Sequence, residues 1–413
     1  MASVQPFRAL RFSNKAGPID QLVCPPYDII SDAERETLLA QDEYNIIRLE
    51  KPFDYDHAAD SLSRWLDSGL LTLDYRPGFY IYEQEFSDAG ERKRIFGLIG
   101  DVKLEPFSAG VILPHEETLA KARGDRRDLM EATWCNFSQI YCLYHDDDRT
   151  VESLLLEQMK TAPRHSFTTG DGVTHRLWPV SDDKLNSRIS QIFADKKLYI
   201  ADGHHRYTTA LEFHEQHAGQ DTGSVMTMLC AMDNEGLVIR PTHRMVNKIS
   251  GFSVESLLAR LKDDFDIESC QDAEVLEERL AKCQRTLAFY TGQGRYYLLT
   301  LRDESSMAKA LPQMSEASRS LDVAMLHALI LEPLLGIDAD KLADQSHLSY
   351  TRSADEAMAL VDSGDAQCSF LLKTTTIEQL AAVSRAGEKM PQKSTYFYPK
   401  LITGLVMKSL RKV

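Results

Sequence analysis

Five consecutive residues, Asp202-Gly203-His204-His205-Arg206, gather a carboxylate, two imidazoles and a guanidinium directly behind a short apolar run. That run, Leu198 to Ala201, reads as a buried strand, and Asp202-Gly203 breaks it. From His204 onward Tyr207, Ala210, Leu211 and His214 recur at helical spacing, and Gly219 offers a stop. A strand–turn–helix junction presents unpaired backbone N–H groups and the positive end of a helix dipole, which suits a phosphate or a carboxylate. Arg206 adds charge-assisted donors at the same place. On this reading Gly203 and Arg206 bind the anion, and His204 and His205 donate to it or shuttle protons. Asp202 orients a histidine or holds Mg2+. A plain Asp-Gly turn, with histidines bonded to nearby backbone, is the competing explanation.

Three other segments carry reactive side chains. His115 and Glu116 follow Pro114 and form a candidate acid/base or metal-linked pair. Behind them Glu117 and Lys121 have the (i, i+4) spacing of a helix ion pair, and the run Lys121, Arg123, Arg126, Arg127 reads either as functional or as a wet surface. Between Lys389 and Lys400, two prolines mark a loop in which Lys393, Ser394 and Thr395 are candidates to line an anion pocket, with Tyr396, Phe397 and Tyr398 as anchors. Asp28 ends the stiff segment Cys24-Pro25-Pro26-Tyr27-Asp28 and serves either as a base or metal ligand, or as a local cap.

Several chemistries lack their signatures. No HExxH, GxxxxGK[ST] loop or kinase-type lysine and HRD set occurs. His204 and His205, adjacent on a helix, diverge by about 100°, which disfavours one zinc taking both. The seven cysteines are scattered with no CxxC pair, which predicts a reducing, cytoplasmic setting. A formal charge of −15 repels duplex nucleic acid and anionic membranes, so neither is an expected partner. The most apolar stretch, Val323 to Ile337, is interrupted by His327, Glu332 and Pro333 and is too short for a span.

The elements around these segments alternate irregularly. Ser31-Asp32-Ala33-Glu34 is a capping-box pattern opening a helix to about Ala40. His57 to Leu70 reads as an amphipathic helix with Leu62, Trp65 and Leu66 inward. Phe79 to Phe86 and Arg94 to Leu104 read as strands paired around Ser87-Asp88-Ala89-Gly90. Strands are also expected over Val225 to Ala231 and Leu237 to Arg240, followed by helices over Ser253 to Phe265 and Asp272 to Lys282. A hairpin Thr286–Tyr290 with Tyr296–Leu301 comes next, then helices near Asp322–Leu335, Ala354–Val361 and Ile377–Ala386, and a strand Ser369–Leu372. This mixture predicts an α+β protein with a mixed sheet, divided into an N-terminal domain, 1–248, and a C-terminal α+β lobe, 249–413, that returns the Lys393–Lys400 segment to the site.

At DGHHR the chain resembles the ParB/sulfiredoxin-like superfamily, in which a Gly-x-x-Arg-type turn and its arginine hold nucleotide phosphates. Sulfiredoxins carry GGCHR there, and free-serine kinases of the superfamily carry a pattern like DGHHR. His204 takes the place of the sulfiredoxin cysteine, so the resemblance excludes sulfinic-acid repair while implying a phosphate site and a ParB/sulfiredoxin-like core. Over nearly its whole length, through CPPYD at 24–28, HEET at 115–118, ADGHHRY at 201–207, PTHR at 241–244 and MPQKSTYFYPK at 390–400, the chain resembles the bacterial family called domain of unknown function 1015. That resemblance implies that the five segments converge on one site. The combined expectation is a phosphotransferase using ATP or ADP and Mg2+ on a small hydroxyl or phosphorylated metabolite, with serine or phosphoserine first. A phosphomonoesterase in the same pocket and a non-catalytic nucleotide-binding regulatory module are the alternatives.

Overall fold

The computed structural model describes residues 1–344 and 346–411. It is a mixed α+β protein, as expected, built as two compact units. The first comprises Met1–Pro114, Thr118–Val238 and Pro399–Val413, and the second His115–Glu117 and Ile239–Tyr398. Among the described residues no helix is long and apolar enough to cross a membrane.

The first unit is organised on a nine-stranded mixed sheet. Its order is Ile112–Leu113, Leu198–Asp202, Ile140–Tyr144, Ser224–Ala231, Glu91–Lys103, Phe79–Asp88, Thr174–Val180 and His165–Thr168, with Val4–Gln5 added beside Glu91–Lys103. The long central hairpin turns over Ala89 and Gly90, both at positive φ, the geometry that tight hairpins require. Leu198–Asp202 runs parallel to Ile112–Leu113 and antiparallel to Ile140–Tyr144. Its residues Leu198 and Ile200 pack into one core with Ile140, Cys142 and the helix residues Tyr207, Ala210 and Phe213. A second core around Leu10, Trp65 and Leu129 takes in Met407 near the end of the chain. The helix Tyr55–Asp67 buries Leu62 and Trp65, but Leu66 is exposed, contrary to the sequence reading. Successive helical residues turn by about 100°, and the inward stripe passes through 62 and 65 without reaching 66.

The chain end is sewn into this unit. Cys24 bridges Thr403, Leu10 bridges Met407, and Lys408–Ser409 pairs with Cys135–Asn136. Lys408 Nζ reaches Asp101 Oδ1 at 2.5 Å and Ser224 O at 3.0 Å.

The second unit holds a six-stranded sheet ordered Phe265–Cys270, Tyr296–Leu301, Thr286–Tyr290, Cys368–Leu371, His243–Val246 and Leu348–Thr351. One face, with Met245, Ala288, Tyr290, Leu298 and Leu371, packs against Leu276 and Leu280 of one helix and Ala357 and Val361 of another. Two expectations need correction here. The helix expected over Ser253 to Phe265 spans only Val254–Leu261, and Phe265 begins an edge strand. The helix expected over Asp322 to Leu335 is interrupted by a π segment, His327–Leu331, between Asp322–Leu326 and Glu332–Leu335. Apolar periodicity persists through both places, so it does not reveal the change of backbone.

Gly404 shows how tightly the chain end is seated. Its φ is +93°, and a Cβ there would lie 2.8 Å from Ile46 Cγ2. Gly404→Val should therefore cost on the order of 2 kcal/mol in strain and overpacking. Urea denaturation monitored by circular dichroism checks this, and an unchanged midpoint would count against the seating of this segment.

Candidate functional site

The strand Leu198–Asp202 ends in an irregularity that sets the first site. Ile200 pairs with Cys142, but the next pair is Asp202 with Tyr141, so Ala201 is the extra residue of a bulge. A bulge re-aims the following side chain, here the Asp202 carboxylate. Gly203 then adopts a left-handed conformation, φ 91° and ψ 26°, as the N-cap of helix His204–Gln216. As a glycine, the N-cap residue has no side chain with which to cap this helix start, and the backbone N–H groups of the first turn point out of the helix end. A Cβ at residue 203 would stand 3.1–3.3 Å from the Arg206 guanidinium, which lies folded against the turn.

Charge is concentrated at this junction. Asp202 Oδ1 accepts from Lys400 Nζ at 2.7 Å, and Oδ2 accepts from Arg206 Nη2 at 2.9 Å. The other Arg206 nitrogen, Nη1, donates to Gln139 O at 2.5 Å. Burial by itself would push the Asp202 carboxyl up. Lys400 and Arg206, with His204 behind them, outweigh burial and hold it well below the usual carboxylate range. Lys400 is placed by its own backbone, since Gln84 Nε2 donates to its carbonyl at 2.9 Å and Gln139 Nε2 donates to Ile402 O at 3.2 Å.

Beneath the junction lies a pocket lined by Arg206, Glu50, Arg126, Asn136 and Ser138. Glu50 is buried, and burial pushes its carboxyl up even though Arg126 and Arg206 oppose the rise. Ser138 Oγ donates to Glu50 Oε1 at 3.0 Å, and Arg126 Nη1 donates to the Glu50 carbonyl at 2.8 Å. The Arg126 guanidinium also stands 3.9 Å from the centre of the Tyr27 ring. Of the two readings of the basic run, functional or wet surface, the wet surface does not apply to Arg126, which is buried. Asp28, the residue after Tyr27, sits exposed on the 3-10 turn Tyr27–Ile29, and its charge acts on both Tyr27 and Glu50.

The two histidines have different surroundings. His204 is buried at the helix start. His205 Nε2 accepts the backbone N–H of Leu119 at 2.9 Å, which places its proton on Nδ1. Leu119 is the N-cap residue of helix Ala120–Thr133, so His205 fixes where that helix begins.

The remaining sequence candidates meet within the second unit. His115 is fully buried, its Nε2 lies 2.9 Å from Thr395 Oγ1, and its carbonyl accepts from Met390 N at 2.8 Å. Glu116 Oε1 accepts from Lys393 N at 2.8 Å, where Lys393 has a φ of +57°. The Ser394 hydroxyl donates to Pro391 O. Glu117 pairs with Lys389 at 3.1 Å rather than with Lys121, because the helix starts only at Ala120 and the (i, i+4) geometry does not exist at 117. The sequence reading gave no individual role to Glu50, Arg126 or Lys400. Arg126 and Lys400 carried a signal, by their places in the basic run and in the Lys389–Lys400 segment, and Glu50 carried none.

The Asp202 network generates a stability prediction. A carboxyl depressed in the folded state contributes stability above its unfolded pKa, about 3.9, and loses it as pH falls toward the folded value. Asp202→Asn should therefore cost about 2 kcal/mol at pH 7, where it leaves two partly buried cations facing each other. Urea midpoints of the two proteins should converge as pH falls from about 4 toward 2. A gap that stays constant with pH would show that the carboxylate charge is not what stabilises the junction.

The solved structures that the chain resembles include three distant likenesses. A conserved hypothetical protein from Pyrococcus furiosus is 14% identical, over 73% of this chain and 93% of that one, with a TM-score of 0.38. A free serine kinase in complex with AMP is 12% identical over 70% and 84%, with a TM-score of 0.38. SbnI with a C-terminal truncation, from Staphylococcus aureus, is 13% identical over 75% and 86%, with a TM-score of 0.37. At these values the likenesses carry no weight for the chemistry. No curated protein matches the sequence. Residues 4–324, more than half of the chain, match the family described as Protein of unknown function (DUF1015), and the chain belongs to that family.

Proposed function

We propose that the first unit binds the phosphates of ATP or ADP at the start of helix His204–Gln216 and transfers a phosphoryl group to a small hydroxyl metabolite, serine being the first candidate. The observation that carries this reading is the convergence of Arg206 and Lys400 on Asp202 at the start of a helix whose N-cap is a left-handed glycine. Two cations stand at one carboxylate there, at the positive end of a helix dipole, a setting that suits an anion. Phosphoryl transfer asks mainly for positioning and charge neutralisation, which such a cradle supplies.

Each residue then has a role. The backbone after Gly203 and the Arg206 guanidinium face the phosphates, and His204 donates to the transferring group. Asp202 orients both cations and is a poor Mg2+ ligand, because Lys400 and Arg206 already occupy its two oxygens. Asp28, an exposed carboxylate, suits the oxygen preference of Mg2+, which would neutralise charge between nucleotide phosphates. Glu50, with its carboxyl pushed up by burial in the pocket beside Arg206, takes the proton from the attacking hydroxyl. His205 positions the helix at Leu119 rather than meeting substrate. In the second unit, His115 and Glu116 brace the loop of Lys393, Ser394 and Thr395 for a role in anion binding.

One observation favours a binding module over an enzyme. Both Asp202 oxygens and His205 Nε2 are engaged within the protein, which leaves fewer groups to move protons.

Calorimetric titration with ATP and ADP, followed by turnover assays with a panel of amino acids and sugars, separates these readings. The proposal predicts nucleotide binding that weakens about ten- to hundred-fold in Arg206→Ala, the loss of a charge-assisted pair worth roughly 1.5–3 kcal/mol. It also predicts phosphoryl transfer that falls in Glu50→Gln with binding retained. Phosphate release from a phosphomonoester without nucleotide would favour a phosphatase, and tight binding without any product a regulatory module. No nucleotide binding at all would contradict the proposal.

A further inference from the structure

The second unit contains a buried cation that the site above does not use. Arg244 lies on a central strand of the six-stranded sheet, opposite Tyr350 and Phe370, and is 1% exposed. Three carbonyl oxygens hold its fork: Thr242 O accepts from Nη1, and Gln392 O and Lys393 O accept from Nη2 at 3.2 and 3.1 Å. Its Nε is buried with no hydrogen-bond partner. Its fork is held by these carbonyls, and the charge of Glu116 acts on it. Burial lowers its pKa to about 10, which still leaves it charged at neutral pH. A fixed, charged guanidinium held mainly by neutral carbonyls is costly in a protein interior, and an anion that meets it lowers that cost.

The surroundings supply the rest of a site. Arg244 lines a cavity together with Lys373, Thr374, Thr375, Ser394 and Asp322. Asp322 does not cancel the charge, because Lys373 at 3.3 Å and Arg285 at 3.8 Å both pair with it. The cavity therefore has more positive than negative groups, with hydroxyls beside them. Beyond Arg244, the ring of His327 opens the π segment, and its Nε2 is buried without a partner. A π turn within an α-helix is frequently found at functional positions.

We propose that Arg244 and Lys373 form a second anion site, which takes a small phosphate-type oxyanion, either free phosphate or the phosphoryl group of a small metabolite. The guanidinium fork is oriented by Thr242, Gln392 and Lys393, the ammonium supplies a point charge, and Thr374 donates a hydroxyl hydrogen bond to the oxygens, while Thr375 donates to Ser394 O and braces the cavity wall. This site rests on the second unit alone and stands or falls independently of nucleotide binding at Arg206.

Isothermal titration of the full chain with inorganic phosphate tests it, using Arg206→Gln to silence the first unit. The Arg206→Gln protein should still bind one phosphate. Adding Lys373→Gln should weaken that binding about ten-fold or more, the usual loss for one charge-assisted contact. Adding Thr374→Val, which removes only an exposed hydroxyl at the cavity, should weaken it several-fold and decides the matter if the lysine variant does not fold. O-phosphoserine binding more tightly than phosphate would assign the site to a metabolite, and equal affinity to free phosphate. Absence of phosphate binding in Arg206→Gln, undiminished binding in the added variants, or acetate binding as tightly as phosphate would each overturn the proposal.

Discussion

A single half-buried carboxylate, that of Asp202 at the end of its strand, holds two cations from very different distances along the chain. Arg206 comes from four residues downstream, in the helix that follows, and Lys400 from 198 residues away. Removing a carboxylate from water is unfavourable, and one cation alone would roughly balance it. The second adds positive charge at a helix end whose backbone is already positive, and Glu50 beside Arg206 offsets part of it. The bulge at Ala201, the left-handed Gly203 and the Gln139 contacts to Arg206 and Ile402 all serve to keep those three charges in register. The return of the chain end to the first unit follows the same requirement, because Lys400 must arrive on a stiff segment to be useful.

The second unit repeats the theme with different means. Three residues, His115–Glu117, belong to it although the rest of that unit begins at Ile239. Their bonds to Met390, Lys393 and Thr395 shape the loop whose carbonyls at 392 and 393 orient Arg244. The carboxylate of Glu116 and the imidazole of His115 each make a bond to that loop. Arginine is the residue left with spare hydrogen-bonding capacity.

What could be read from the sequence was local. The Ser31–Glu34 capping box, the hairpin over Ala89-Gly90 and the strand–turn–helix around Gly203 each depend on residues within a few positions of one another, and all formed as the pattern indicated. Long-range placement was not legible. Glu50 and Arg126 look like ordinary charged positions in amphipathic segments, and only tertiary packing buries them together. Lys400 stood in a segment marked by composition, but nothing local ties it to Asp202. The π segment at His327 was hidden because the apolar spacing that buries Leu329, Ile330 and Leu331 is tolerated by either backbone. The bond of His205 to Leu119, 86 residues earlier, is likewise a long-range contact that its local sequence does not announce.

The central claim is that the helix start after Gly203 is a phosphate cradle completed by Arg206. A crystal structure of the protein with ADP tests it most directly. The account predicts a terminal phosphate against the backbone N–H groups of His204 to Arg206, with the Arg206 guanidinium within hydrogen-bond distance and the Lys400–Asp202 pair intact. ADP phosphates bound elsewhere in the molecule, with the helix start left to solvent, would contradict it.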